Sequence, residues 1–128
     1  MLNYGFTKII DQPFESVIEK VTEELKKEGF GILTTIDVKE KFKEKLGLDF
    51  KKYIILGACN PSSAHKAIQT EENIGLLLPC NVVVYEKDGK TAIAIIKPAA
   101  AMQMIENVNL HEIAEDIEQK LKNVFEAL

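Results

Sequence analysis

Residues Tyr53 to Glu86 read YIILGACNPSSAHKAIQTEENIGLLLPCNVVVYE, and this stretch decides the fold. It holds both cysteines, two of the four prolines and one of the two histidines. It also says one short phrase twice, as Ala58-Cys59-Asn60-Pro61 and as Leu78-Pro79-Cys80-Asn81. Each copy sets a Cys-Asn pair beside a proline at the edge of a strand-like run. Tyr53 to Ala58 is a short continuous apolar run, the pattern of a strand buried on both faces. Asn60-Pro61-Ser62-Ser63 turns the chain into a helix from about Ser62 to Thr70, and Glu71-Glu72-Asn73 is its exit. Ile74 to Leu78 reads as a short extended piece broken by Pro79, and Asn81 to Glu86 as a strand. Lys87-Asp88-Gly89-Lys90 carries the Asp-Gly signature of a tight hairpin. Thr91 to Lys97 answers as its antiparallel partner.

Upstream, Leu2 to Ile10 reads as a first strand. Asp11 offers a helix N-cap, and Pro13 sits in the first turn, where its missing N–H costs nothing. Phe14, Val17, Ile18, Val21 and Leu25 form one apolar stripe at helical spacing. Glu28-Gly29 ends that helix, because glycine accepts the left-handed cap. Phe30 to Val38 is a second strand. Asp37 is placed to cap a helix over Val38 to Leu46, closed by Gly47. Downstream, Pro98 begins a short helix reaching to about Glu106, and Asn109 is the expected cap of a last helix, Leu110 to Leu128. The stripe of that helix is Leu110, Ile113, Ala114, Ile117, Leu121, Val124 and Phe125. The order β-α-β-α-β-α-β-β-α-α predicts a single α+β domain over residues 1–128, with a mostly antiparallel sheet covered on one face by helices.

Composition narrows the function classes. The chain has 128 residues, 46% hydrophobic and 28% charged, the size and balance of one globular domain. A net charge of −4 leaves no basic footprint for nucleic acid. Aromatic residues are only 7% and tryptophan is absent, so a base-stacking platform is not expected. No apolar run approaches the roughly 18 residues of a membrane span. The opening MLNYGFTKII lacks the pattern of a signal peptide, so a cytoplasmic protein with no membrane partner is expected. Two cysteines outside any Cys-x-x-Cys pair do not make a disulfide framework or a local zinc motif. Phosphate loops, nucleophile elbows and dinucleotide fingerprints are also missing from the sequence, so no enzyme class is indicated.

The candidate site follows from the doubled phrase. Antiparallel neighbours would bring the end of one strand, Cys59, beside the start of the other, Cys80. Cys59, Asn60, Pro61, Ser62 and Ser63 would then line an opening at a helix N-terminus, where free N–H groups favour anions and lower a thiol pKa. Cys80 and Asn81 would form the opposite wall. The plainer alternative is an Asn-Pro turn with serine capping and two buried small hydrophobes. His65, one turn into the helix, could join Cys59 and Cys80 as a metal ligand, or lie solvated on the helix surface. His111 and Glu115 share a helix face, which is two ligands and not a site. Met102 and Met104 read as a pocket lip or as core packing.

The phrase ILGACNPSSAHKAIQTEENIGLLLPCNVVVYE resembles the signature of the domain of unknown function 302 family. Ala58 to Pro61 and Gly75 to Val82 match its apolar strand, Ala-Cys-Asn-Pro, short helix and Gly-Leu-Leu-Leu-Pro-Cys-Asn-Val pattern. The resemblance extends to the opening strand, Pro13-Phe14 and Pro98. It implies helices packed on an antiparallel sheet in an arrangement similar to the TATA-binding protein, and a homodimer; it implies no DNA binding and no particular cofactor. Three functional readings stand together. The first is a small-ligand or anion-binding module at the Cys-Asn-Pro turn. The second is a thiol protein, binding metal through Cys59, Cys80 and His65 or sensing redox state. The third is a structural or interaction protein whose cysteines only pack.

Overall fold

A computed structural model describes residues 2–128; Met1 lies outside the described residues. Five strands form one antiparallel sheet: β1 (Gly5–Ile10), β2 (Gly31–Asp37), β3 (Tyr53–Cys59), β4 (Cys80–Lys87) and β5 (Lys90–Ile96), in the spatial order β1-β5-β4-β3-β2. The helices are α1 (Phe14–Lys27), α2 (Val38–Leu46), α3 (Pro61–Thr70), α4 (Pro98–Ala101) and α5 (Val108–Glu126). The α+β class, the antiparallel sheet and the order of elements are those the sequence predicts.

Side chains alternate across each strand, so register assigns them to faces. On one face Leu56 and Ala58 of β3, Val82 and Val84 of β4, and Ile93 and Ile95 of β5 are buried. Against them pack Val17, Val21 and Leu25 of α1 and Ile117, Leu121 and Val124 of α5. A smaller cluster of Ala67, Ile74, Met102, Leu110 and Ala114 fills the space between α3, α4 and α5. The first and last elements meet directly. Phe6 of β1 stacks on Phe125 with ring centroids 5.4 Å apart, and Lys8 Nζ donates to the Phe125 carbonyl at 2.9 Å.

Among the described residues, neither cluster of buried hydrophobic residues includes a residue of the other face of the sheet. Register places Thr7 and Ile9 of β1, Ala92 and Ala94 of β5, Val83 and Tyr85 of β4, Tyr53 and Ile55 of β3, and Thr34 and Ile36 of β2 on it. None of these residues is charged; Lys87 and Lys90 continue the same face only at the hairpin end. Tyr53 and Tyr85 stack across β3 and β4 at 5.2 Å, while Ile9 and Ile36 are 55% and 44% exposed. Near one end an open groove of about 170 Å³ runs between Tyr4, Asn81, Val83, Ala94 and Ile96.

Local chemistry sets most element ends. Asp37 Oδ1 accepts from Glu40 N–H at 3.0 Å and opens α2, and Gly47 closes it at φ 66°. The hairpin between β4 and β5 turns through Asp88 (φ 50°) and Gly89 (φ 78°), both left-handed as a two-residue loop of this hand requires. Three expectations are corrected. Helix α1 begins at Phe14 behind Pro13, with no side-chain cap. Asp11 plays no capping part, because the chain first crosses Gln12, whose carbonyl accepts from the buried Thr91 hydroxyl at 2.7 Å. Residues Glu72–Leu77 form a 3-10 helix where Ile74 to Leu78 promised an extended piece, since Ile74 buries among Met102 and Leu110. Finally, α5 is capped by Asn107 and not Asn109: Asn107 Oδ1 accepts from Leu110 N–H at 3.2 Å. The Asn107 amide also donates to Thr70 O and Glu71 Oε1, so tertiary contacts choose between the two asparagines.

Candidate functional site

Strands β3 and β4 run antiparallel with Ala58 opposite Cys80 and Gly57 opposite Asn81. The doubled phrase therefore comes together at one end of the sheet. Pro79, preceded by a cis peptide bond, lies against Gly57. A Cβ at Gly57 would come within 2.8 Å of Pro79 Cγ and would overlap the Thr34 hydroxyl, so β2, β3 and the Pro79 turn close over a position that only glycine fits.

Asn60 is the busiest polar group of the phrase. Its Oδ1 accepts from Ser63 N–H at 3.2 Å, capping α3, and its Nδ2 donates to Glu28 O at 3.2 Å. Gly29 (φ 84°) leaves the room this needs, since a Cβ there would lie 3.0 Å from Asn60 Nδ2. The helix N-terminus is thereby used up. Pro61 has no N–H, Ser63 N–H goes to the Asn60 side chain, and Ala64 N–H goes to Asn60 O at 2.9 Å. At most the Ser62 N–H is left for an anion, where a binding site needs several converging donors.

Cys59, Asn60, Ser63, Pro79 and Cys80 line one cavity with Phe30, Ala58 and Ile117. Its volume is about 20 Å³. A single water needs roughly 10–15 Å³, so the space takes about one water and no organic ligand. Cys80 is buried, and burial, followed by the neighbouring Cys59, pushes its thiol up to about 11. It is a protonated thiol at neutral pH, not the thiolate that binds metals or attacks disulfides. Both cysteines are free thiols, with Cys59 half-buried.

The remaining candidates stand apart. Pro61 and Ser62 are exposed and do not line the cavity. Asn81 faces the opposite side of the sheet from Cys80 and lines the groove on the open face. His65 is exposed on α3 and does not reach the cysteine cavity. Among the described residues no three His, Cys, Asp or Glu side chains gather for a metal. His111 bonds the Ile105 carbonyl through Nε2 at 2.6 Å, fixing the loop before α5. Met102 is core, and Met104 is 75% exposed. The open sheet face is not picked out by the sequence reading; its signal is a run of uncharged alternate positions in each strand, broken only by Lys87 and Lys90 at the hairpin.

This geometry has close relatives. The family description "Domain of unknown function DUF302" fits residues 6–128. The chain belongs to the DUF302 family. A crystal structure of an uncharacterized conserved DUF302 protein from Bacillus stearothermophilus is 37% identical, with a TM-score of 0.91 over 98% of each chain. No curated protein matches the sequence. No helix among the described residues is long and apolar enough to cross a membrane.

Proposed function

We propose that this DUF302 chain is a self-associating interaction module: a homodimer built on the open face of its sheet, in which the Cys-Asn-Pro phrases are architecture. The observation that carries the reading is the absence of charge from the body of that face, where Lys87 and Lys90 stand only at the hairpin rim. Thr34, Ile36, Ile55, Val83, Ala94 and Thr7 cross all its strands, in a chain that is 28% charged. Depletion of charge with aromatic and apolar enrichment marks the centre of a protein interface. Contiguous apolar surface of this kind is rarely left to water. A second copy suits it because an uncharged centre, with Lys87 and Lys90 only at its hairpin rim, meets its own image without like-charge repulsion, and a two-fold axis needs one patch only. The cysteine cavity supports no competing ligand reading, being the size of one water.

Sedimentation velocity across a concentration series tests this. The wild type should sediment as a dimer, and Ala94→Arg, on the central part of the face, should sediment as a folded monomer. A wild-type protein that stays monomeric at about 100 μM, a weak-dimer limit near 5–6 kcal/mol, would refute it.

A further inference from the structure

We infer that the two sheets of that dimer stack with their strands antiparallel, the lysine-bearing hairpin end of each copy lying over the uncharged Asn81 end of the other; the inference rests on the homodimer reading above. The open face has two unlike ends. At the hairpin end Lys87 and Lys90 stand opposite each other on β4 and β5, on the side of Tyr85 and Ala92. Lys51 joins them, its ammonium 4.8 Å from the centre of the Tyr85 ring. Among the described residues none of these three lysines is in an ion pair. Glu86 alternates to the helix-covered face, and its Oε1 accepts from Lys52 N–H at 3.0 Å. Asp11 and Asp88 lie beyond the strand ends, in the bend and the turn. At the opposite end Asn81, Val83, Ala94 and Ile96 line the open groove with Tyr4, and no charged side chain joins them. Lys97, which follows β5 there, holds its ammonium 4.9 Å from the centre of the Phe6 ring, on the helix-covered side.

A two-fold axis that lays a face on its own copy lies in the plane between the copies, either along the strands or across them. An axis along the strands sets hairpin end on hairpin end. It gathers Lys51, Lys87 and Lys90 of both copies at one rim, and like charges facing each other across an interface select against that arrangement. An axis across the strands sets each hairpin end on the partner's groove end, where no charge opposes it. The topology then fixes which residues meet. Strand β4 is the middle one of the five, and Val84 lies midway between Asn81 and Lys87. An axis crossing β4 there carries Lys87 over Asn81 of the partner subunit, and Asn81 over the partner's Lys87. Both positions lie about 10 Å from that axis, so the roughly 30° crossing of packed sheets moves them by about one strand spacing. A lysine side chain spans that distance, and the exposed Asn81 amide offers its ammonium an acceptor.

Charge of either sign at position 81 tests the stacking, read as the dimer dissociation constant by sedimentation at low and high salt. Asn81 is exposed, so the fold tolerates both changes, and thermal melts check that it does. Asn81→Asp should tighten the dimer about fivefold at low salt and Asn81→Lys should weaken it about as much, two symmetry-related rim pairs changing at once. Both shifts should shrink in high salt, and again in a Lys87→Ala/Lys90→Ala background, which removes the charges that position 81 faces. Hairpin-on-hairpin stacking would bring the two copies of residue 81 together, so that aspartate and lysine both weaken the dimer. That result, or no effect of either change, overturns the antiparallel stacking while leaving a dimer. A monomeric wild type overturns the dimer and the stacking with it.

Discussion

The side chain of Asn60 donates to the carbonyl of Glu28 across a gap of 32 residues, at 3.2 Å. With its other atom it caps α3. One amide thus sets the start of α3 against the end of α1, and both halves of the amide are needed. Asn60→Ser keeps a cap acceptor and should cost about 1 kcal/mol. Asn60→Asp is the better cap by itself, yet turns a carboxylate oxygen toward the Glu28 carbonyl and should cost about 2–3 kcal/mol. Urea unfolding checks the order; an aspartate variant more stable than the serine variant would contradict the double role.

At Gly57 the limit is space. Gly57→Ala should destabilise by about 1–3 kcal/mol, the usual cost of overpacking. Thr34→Ala removes the hydroxyl that the new methyl would strike, but leaves Pro79 Cγ at 2.8 Å. The double variant should therefore recover part of the loss and not all of it. Thermal melts of the four proteins give the coupling directly.

Cys80 makes stability depend on alkaline pH. Its thiol titrates near 11 in the fold and near 9.0 when unfolded. Below pH 9 both states hold the proton, so nothing is lost. Between pH 9 and 11 only the folded state keeps it, and stability falls with rising pH by about 2–3 kcal/mol in all. Lysines titrate in the same window, so the measurement is the difference between wild type and Cys80→Ala in urea midpoints at pH 8, 9.5 and 11. The gap between them should narrow as pH rises; parallel profiles would show that Cys80 is not the source.

Asn107 and Asn109 separate local from tertiary capping. Asn107→Ala removes the cap of α5 and the bonds to Thr70 O and Glu71 Oε1, for a cost of about 2 kcal/mol. Asn109→Ala, on the exposed side of the first turn, should stay within about 0.5 kcal/mol. Equal losses would return the cap to Asn109.

These asparagines also show what the sequence could tell. Where the signal is local, it was legible: Asp37 and Gly47 bound α2, and Asp88-Gly89 makes the hairpin, because capping and left-handed turns depend on residues a few positions apart. The choice between Asn107 and Asn109 depends on Thr70, far away in the chain, and was not. Ile74 to Leu78 failed for the same reason, as a short apolar run has no period of its own and Ile74 takes its shape from Met102 and Leu110. The doubled phrase located a real junction of β3 and β4. Its chemistry was misread where adjacency in sequence stood in for adjacency in space: Cys80 and Asn81 are neighbours in the chain and face opposite sides of the sheet. Cavity size, which decides against an organic ligand there, has no trace in the sequence.

The meeting of Phe6 and Lys8 with Phe125 has a consequence for how the protein is made. A ribosome delivers β1 more than a hundred positions before the residues of α5 that cover it. Strands β1, β5 and β4 can pair as soon as β5 emerges and α1 can cover part of their inner side, but the part that α5 covers stays wet until α5 leaves the exit tunnel. The native core is therefore incomplete until α5 has emerged, and in the interval the nascent chain carries a sheet covered by α1 without α5. That is the period in which chaperones matter most to it, and in which a stalled or truncated chain lacking Phe125 would aggregate.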